Sequence, residues 1–246
     1  MKIENKDFWE NEAVIATQRL KNAADFELFM FENAVNRYAQ IGFIKNVKIF
    51  GCGSGREVEA VAKYFLPSKI VASDISENMI AKCNANVKLW NISHITETLV
   101  TNAVDYKVAE NSFELVTILN SMLTYVSKKE ERMQIYSNSL HILKPGGIVI
   151  GTVHNQIGTL QKTLYFKLRN LFSFILGDKV GNRNTGFNGF KVPGYYYSKR
   201  GLIKDLLTAG FKNVEVYSLE EYHGLKDELY DRKKGYNNLI FIATKP

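Results

Sequence analysis

Short apolar runs alternate with stretches of helical periodicity along most of the chain. The runs predict five β-strands, at residues 47–50, 69–72, 97–101, 113–119 and 148–153. Between them, apolar residues recur every three to four positions and predict helices at 56–65, from 76 onward and at 129–143. Strands that alternate with helices at this spacing indicate βαβ units and a parallel sheet buried on both faces.

Both ends of the chain extend this α/β pattern. Residues 7–41 show helical periodicity without proline and predict two helices. After residue 200 the pattern predicts a helix at 202–209 and strands at 214–217 and 238–244. Because no repeat or Pro/Ser-rich linker interrupts the chain, we predict one domain over residues 1–246 with an insertion at 156–198.

A glycine-rich loop follows the first predicted strand. It reads Gly51-Cys52-Gly53-Ser54-Gly55. Glycines at such a position permit positive φ angles and let backbone N–H groups approach a ligand at a helix N-terminus. A dinucleotide fingerprint requires glycine at position 56, where this chain has Arg56, and the Gly-Lys-Ser/Thr of a phosphate loop does not occur here.

An acidic residue, Asp74, closes the second predicted strand, 23 residues after Gly51. A carboxylate at the end of this strand can accept hydrogen bonds from both ribose hydroxyls of an adenosine. Alternatively, the glycines form a tight turn and Asp74 caps the helix that follows it. The two features in this order favour the nucleoside interpretation.

The loop and Asp74 belong to a series of four motifs that resembles the class I S-adenosylmethionine-dependent methyltransferases. The resemblance runs from about residue 45 to 155 and resumes near Tyr197. Its other parts are Asp74-Ile75-Ser76-Glu77-Asn78-Met79, Asn111-Ser112-Phe113-Glu114-Leu115-Val116 and Leu143-Lys144-Pro145-Gly146-Gly147. It implies a Rossmann-like fold with a seven-stranded, mostly parallel sheet, helices on both faces, an N-terminal helical extension and a lid before the sixth strand.

The resemblance also implies S-adenosyl-L-methionine as the cofactor and divides the chain into parts. Residues 1–44 would be N-terminal helices, 45–155 the cofactor-binding half, 156–198 a basic lid and 199–246 the substrate-side half. The glycine loop would hold the methionine part of the cofactor, and Asp74 would bind its ribose. The implied cofactor-binding residues are Gly51, Cys52, Gly53, Ser54, Gly55, Asp74, Ile75, Met79, Asn102, Ala103 and Asn120.

Two residues depart from the family pattern. Asn102 stands where an adenine-facing Asp is common, and its carbonyl can still accept from the adenine amine. Ile49 stands where the family has an acidic residue that helps to hold the cofactor's ammonium. This change leaves the ammonium to backbone carbonyls near Gly51 and Asn120, so we expect weaker cofactor binding.

Methyl transfer from a sulfonium needs alignment, exclusion of water and, for some acceptors, removal of a proton. We therefore expect neither a nucleophilic triad nor a metal. The catalytic candidates follow the fourth and fifth strands, where a substrate meets the cofactor: Tyr125 would line the substrate and His154 would act as general base. Alternatively, Tyr125 packs beneath the next helix and His154 holds a loop.

Charge is distributed unevenly along the chain. The net charge is +7, from 32 basic and 25 acidic residues. Residues 156–200 contain eight of the basic residues and one of the acidic residues, so the rest of the chain is neutral in sum. This segment carries an apolar helical stripe, which predicts a core-packed helix, an interfacial membrane helix over 159–177 or a dimer contact. The stripe consists of Leu160, Leu164, Leu168, Leu171 and Ile175.

The leading hypothesis is a cytoplasmic methyltransferase that modifies an oxygen or nitrogen of a small, anionic metabolite, such as a polysaccharide or secondary-metabolite precursor. Basic side chains in a lid favour phosphate or carboxylate. An RNA methyltransferase and a non-catalytic cofactor-binding subunit are the alternatives. Nucleic acid is disfavoured because the amino-methylation signature Asn/Asp-Pro-Pro-aromatic is missing after the fourth strand.

The cytoplasmic expectation rests on two cysteines and an N-terminus without an apolar signal core. The oligomeric state stays open.

Overall fold

A seven-stranded sheet occupies the centre of the computed structural model, which describes residues 5–16, 23–39, 42–186, 189–232 and 237–246. The strands in chain order are β1 (Asn46–Phe50), β2 (Lys69–Asp74), β3 (Thr96–Val100), β4 (Phe113–Ile118), β5 (Leu143–His154), β6 (Asn182–Thr185), β7 (Val192–Tyr195), β8 (Lys212–Ser218) and β9 (Asn238–Thr244). The central sheet has the order β3-β2-β1-β4-β5-β9-β8. β9 runs antiparallel to both of its neighbours, β5 and β8, whereas the pairs formed among β1 to β5 are parallel. The predicted mostly parallel sheet of seven strands is therefore confirmed.

Helices cover both faces of this sheet. They are α1 (Asn5–Glu10), α2 (Glu12–Ala16), α3 (Asp25–Tyr38), α4 (Arg56–Phe65), α5 (Glu77–Leu89), α6 (Lys129–Ile142), α7 (Leu160–Leu171), α8 (Ser173–Leu176), α9 (Lys199–Thr208) and α10 (Leu219–Gly224). Apolar residues of α3, α4, α5 and α10 form one buried cluster with the sheet, and those of α6 and α9 form another on the opposite face. Burial on both faces explains why β4 reads as an unbroken buried run.

The strand order brings four chain segments to one edge of the sheet. β1 ends at the glycine loop, β2 ends at Asp74, β4 ends two residues before Asn120, and β5 ends at His154. The carboxyl ends of parallel strands meet at a common edge, and ligands of this architecture bind there. The fold thus collects the predicted site residues at one place.

The N-terminal region contains three described helices, so the prediction of two is corrected. α1 and α2 are separated at Asn11, whose Oδ1 accepts the backbone N–H of Ala13 at 2.9 Å. An Asn side chain that bonds the backbone two residues on favours a break and a new helix start. Residues 17–22 and 40–41 of the predicted region lie outside the described residues.

The basic insertion differs from one of its predicted arrangements. Its apolar stripe does not pack into the core: Leu160, Leu164 and Leu168 are 85%, 55% and 52% exposed. α7 instead packs through Phe166, which is buried and lies 5.4 Å from Tyr196 between ring centroids. The core-packed interpretation is therefore wrong.

The segment at 181–190 contributes β6 to a two-stranded antiparallel ladder with β7. Its polar sequence Asn182-Arg183-Asn184-Thr185 has low strand propensity, so tertiary pairing overrides the local signal. Positions 187 and 188 of this segment lie outside the described residues.

Candidate active site

A cavity of about 770 Å³ opens at the carboxyl edge of the central sheet. All the site residues predicted from the sequence line it, with the exception of Gly55. Residues that are up to about 100 positions apart in the chain therefore meet in one space. This volume lies in the ordinary range of small-molecule sites, which is about 300–1,000 Å³.

The glycine loop adopts backbone angles that favour glycine. Gly51, Gly53 and Gly55 have φ angles of +70°, +52° and +97°. A Cβ atom on Gly51 would lie 2.6 Å from Cγ of Met122, whereas one on Gly53 would meet no atom within 4 Å. A Cβ on Gly55 would approach Sγ of Cys83 at 3.0 Å. Gly53 therefore faces open space, while Gly55 serves the packing of the loop on α5.

Asp74 is held in place by the loop and by the start of α5. Its Oδ2 accepts the N–H of Gly53 at 2.9 Å, and its Oδ1 accepts the N–H of Ser76 at 3.0 Å. The N-cap of α5 is Ser76, whose Oγ accepts the N–H of Met79 at 3.0 Å. The capping role considered for Asp74 therefore belongs to Ser76. Burial raises the pKa of the Asp74 carboxyl, and the two N–H donors oppose that shift. The carboxyl group is oriented and still exposes acceptor sites to the cavity.

The predicted adenine side of the cavity is lined by Ile75, Met79, Asn102 and Ala103. Met79 is buried on α5 and supplies an apolar surface. Oδ1 of Asn102 accepts the N–H of Val104 at 3.0 Å, which fixes the amide within a local turn. A planar apolar group with one polar edge suits this part of the site.

Aromatic rings form the wall near the predicted acceptor position. Tyr125 lies 5.0 Å from Trp9 and 6.3 Å from His154, measured between ring centroids. The backbone carbonyl of Trp9 accepts a hydrogen bond from Ser76 Oγ at 3.1 Å, which ties α1 to the start of α5. Tyr125 thus faces the cavity with Trp9, a residue that the sequence analysis did not identify.

His154 closes the cavity at the end of β5. Its backbone N–H donates to Oγ1 of Thr124 at 2.9 Å, and its ring lies 5.2 Å from the ring of Tyr196. Burial lowers the pKa of His154 to about 4, and the positive charge of Lys162 adds to the shift. The imidazole is therefore neutral at pH 7.

Charged residues that the sequence analysis did not assign lie at the end of the cavity beside Asn120. Arg56 forms two hydrogen bonds with the carboxylate of Glu27, at 2.6 and 2.7 Å, and a third with Oδ1 of Asn120 at 2.7 Å. Arg56 directly follows the glycine loop, so its position in the sequence could have identified it as a residue of the site. Glu27 precedes the loop by more than 20 residues, and only the packing of α3 brings it here.

Metal and thiol chemistry find no support in the described part of the chain. No group of three or more His, Cys, Asp or Glu is placed there to hold a metal ion. Cys52 and Cys83 are free and buried. A hydrogen bond with Cys83 and burial raise the pKa of the Cys52 thiol, which disfavours a thiolate nucleophile.

Comparison with known proteins relates part of the chain to a family. Residues 47–147 match the model of a methyltransferase domain. A protein of Geobacillus sp. (strain WCH70), named as a methyltransferase, is 27% identical over 140 residues, which cover 56% of this chain and 54% of that protein. The chain thus matches about half of the length of this curated relative.

Solved structures show the same fold. A methyltransferase from Methanosarcina mazei has a TM-score of 0.64 and 18% identity, covering 92% of this chain and 99% of that chain. A phosphoethanolamine N-methyltransferase from Haemonchus contortus, solved with phosphomonomethylethanolamine and S-adenosylhomocysteine, has a TM-score of 0.65 and 15% identity. That match covers 99% of this chain and 61% of the other.

The family match runs from β1 to the start of β5, so it includes the glycine loop, Asp74 and Asn120 but not His154 or the N-terminal helices that also line the cavity. A domain of this kind implies S-adenosylmethionine as its cofactor, in agreement with the sequence-based expectation. Among the described helices, none is both long and apolar enough to cross a membrane. Residues 47–147 thus match a methyltransferase domain, and the chain has the Rossmann-like fold seen in solved S-adenosylmethionine-dependent methyltransferases.

Proposed function

We propose that this chain transfers a methyl group from S-adenosylmethionine to an oxygen or nitrogen atom of a small, anionic metabolite. The observation that carries the proposal is a single cavity in which a glycine loop, an oriented carboxylate and a neutral histidine face one another. Each of these groups has a role in binding the cofactor or in handling the acceptor.

The residues of the cavity fit the cofactor. Gly53 leaves free space next to the loop, where a Cβ atom would project without contact. Asp74 offers acceptor sites for two ribose hydroxyls, and Ile75 and Met79 offer apolar surface for adenine. The volume of about 770 Å³ leaves room for an acceptor beside a nucleoside.

When bound, the cofactor supplies a methyl group that is already activated by its sulfonium. The protein then has to align the acceptor, exclude water and receive a proton where the acceptor carries one. Tyr125 and Trp9 enclose the acceptor side, and His154 is neutral and can take up the proton. A pKa of about 4 makes His154 a weak base at pH 7, so this role suits an acceptor whose proton becomes strongly acidic as the methyl group is transferred.

Positive charge beside His154 supports an anionic substrate. Burial, followed by the charge of Arg183, lowers the pKa of Lys162 to about 8. The Lys162 ammonium and the Arg183 guanidinium each lie 5.8 Å from the centre of the Tyr196 ring, which itself contacts His154. In the described structure neither cation has a carboxylate ion-pair partner. A phosphate or carboxylate on the acceptor would supply that missing charge.

The Haemonchus contortus N-methyltransferase offers a chemical parallel, because its solved complex contains a phosphorylated amine. An RNA substrate would use the same positive charge. It would also bind many phosphates and show a steep loss of affinity with salt, which distinguishes it from a small anion. A non-catalytic subunit would bind the cofactor and release no product.

The proposal is tested by screening paired acceptors for release of S-adenosylhomocysteine. Each pair consists of a phosphorylated or carboxylated amine or alcohol and its neutral analogue. We expect turnover with an anionic member, and we expect Lys162→Gln to reduce kcat/KM about tenfold or more for that member, since one charge-assisted hydrogen bond is lost. The control is Lys167→Gln, an exposed lysine on the same helix.

Equal turnover of neutral and anionic members would refute the anionic substrate. Turnover only on RNA, with strong salt dependence, would establish the RNA alternative. Cofactor binding without turnover on any acceptor would favour the non-catalytic subunit.

A further inference from the structure

Two charged residues at one end of the cavity, Glu27 and Arg56, have no role in the proposed reaction. The amino-acid end of the cofactor carries an ammonium and a carboxylate, and buried charges need partners of opposite sign. Ile49, on β1, is fully buried in the apolar cluster that includes Met30 and Phe31 of α3, so this strand position supplies no charge. A charged partner for this end of the cofactor would therefore come from another element.

Few charged side chains line the described part of the cavity. Among the described residues that line it, the side chains with a formal charge at pH 7 are Glu27, Arg56 and Asp74. Asp74 ends β2, on one side of β1, while Asn120 follows β4, on the other side. Because Arg56 contacts Asn120, the Glu27–Arg56 pair lies at the β4 side of the cavity, opposite the proposed ribose site.

The pair is rigidly held. Glu27 is 3% exposed, and its carboxylate accepts two bonds from Arg56 and one from the N–H of Ala24 at 2.8 Å. A carboxylate has about four acceptor sites, so one site on Oε1 is left in the described structure. Asn120 and Ser121 next to the pair have φ angles of +53° and +56°, a costly conformation that directs this turn into the cavity.

We propose that the Glu27–Arg56 pair binds the amino-acid end of the cofactor, with Glu27 holding the ammonium and Arg56 the carboxylate. Glu27 thus replaces, from the N-terminal helix α3, the acidic group missing at Ile49. The inference rests on the proposed use of S-adenosylmethionine. It also assigns a binding role to α3, whose apolar residues pack on the sheet.

The test compares two ligands that differ only at this end. S-adenosylhomocysteine carries the amino acid, whereas 5′-methylthioadenosine keeps the nucleoside thioether and lacks it. In calorimetric titrations, Glu27→Gln should weaken binding of S-adenosylhomocysteine about tenfold or more, and change the affinity for 5′-methylthioadenosine less than about twofold. Glu32→Gln, an exposed residue on α3, is the charge-matched control and should change neither.

The affinities for the two ligands distinguish a binding role of the pair from a structural one. Unchanged affinity for S-adenosylhomocysteine, or an equal loss for both ligands, would overturn the inference, because the pair would then be only a structural contact. Retained binding of 5′-methylthioadenosine shows in the same sample that the variant is folded. If the wild-type protein binds neither ligand, the proposed function itself fails, and this is seen before any variant is compared.

A separate observation concerns the exposed face of α7 and α8. Seven large apolar side chains on these helices are between 48% and 85% exposed. They are Leu160, Leu164, Leu168, Leu171, Phe172, Phe174 and Ile175. Contiguous apolar surface of this kind marks an interaction site.

The surrounding charge indicates which partner fits this α7–α8 face. Residues 156–200 contain eight basic residues and one acidic residue, Asp178, which is already paired with Lys129. A second copy of the chain would bring two such positive segments together, which costs electrostatic energy. We infer that the face binds a bilayer surface rich in anionic lipids, with the apolar side chains in the interface and exposed lysines such as Lys167 and Lys179 against the headgroups.

Vesicle co-sedimentation at physiological salt tests this second inference. The wild-type protein should bind vesicles of phosphatidylcholine with phosphatidylglycerol, and bind pure phosphatidylcholine at least about tenfold less well. The double variant Leu164→Ser/Leu168→Ser should lose about tenfold or more of the binding, while Leu89→Ser/Leu207→Ser, also at exposed positions, should lose none. Failure of the wild type to bind the anionic vesicles, or a dimer that the first double variant dissociates, would overturn it.

Discussion

Glu57 offers a sharp test of how the cavity is built. It lies in the first turn of α4, directly behind the glycine loop, and is 1% exposed. Burial raises the pKa of this carboxyl to about 8, against a hydrogen bond with the hydroxyl of Thr117 that favours the charged form, and the negative charge of Glu27 adds to the rise. The folded chain therefore keeps a proton that the unfolded chain releases.

The size of the effect follows from the two pKa values. Between pH 4.5, the ordinary value for Glu, and pH 8, the folded state binds one more proton than the unfolded state. Its free energy of unfolding then falls by about 1.4 kcal/mol for each unit of rising pH. At pH 7 the accumulated loss is about 3 kcal/mol. Gln has a similar shape and no proton to lose, so Glu57→Gln removes this dependence.

The assay is urea unfolding of the wild type and Glu57→Gln at pH 5, 6, 7 and 8. The stability of the variant relative to the wild type should rise by about 1.4 kcal/mol per pH unit up to pH 8. Contributions from other titrating groups cancel in this difference. A difference that is independent of pH would refute the buried, protonated state of Glu57.

Further predictions concern packing and charge around the cavity. Gly151→Ala should lower the free energy of unfolding by about 1–3 kcal/mol in urea melts, because its Cβ would lie 2.4 Å from Cζ of Phe241. Arg132→Lys should lower the melting temperature, because Lys lacks the planar group that stacks 3.6 Å from the centre of the Tyr195 ring. His154→Gln should gain stability relative to the wild type as the pH falls from 6.5 to about 4, since the folded imidazole resists protonation while the unfolded one accepts a proton. Equal stability of any of these variants and the wild type under those conditions would contradict the corresponding contact or charge.

Periodicity was sufficient to predict the central fold because the parallel strands are buried on both faces. β1, β2 and β4 read as short apolar runs and occur close to the predicted positions. The glycine loop and Asp74 could be predicted as site residues because they follow those strands directly. Their position depends only on where a strand ends, which a sequence pattern reveals.

Long-range packing explains what the sequence did not predict. Glu27 and Trp9 enter the cavity from N-terminal helices, and no local signal connects them with a loop more than 20 residues away. The stripe on α7 has the spacing of a buried helix, yet this helix packs through Phe166 and leaves the stripe exposed. Periodicity identifies an apolar face and does not identify what covers it. The assigned roles of Tyr125 and His154 stay predictions until turnover is measured.

Calorimetric titration of S-adenosylhomocysteine into the wild-type protein and Asp74→Ala tests the central claim most directly. We predict one binding site per chain in the wild type. Loss of the ribose acceptors should weaken the affinity of Asp74→Ala at least about tenfold, because hydrogen bonds to a charged group contribute about 1.5–3 kcal/mol each. Circular dichroism checks that the variant is folded. Absence of binding to the wild type, or equal affinity of the two proteins, would contradict a cofactor site at the end of β2.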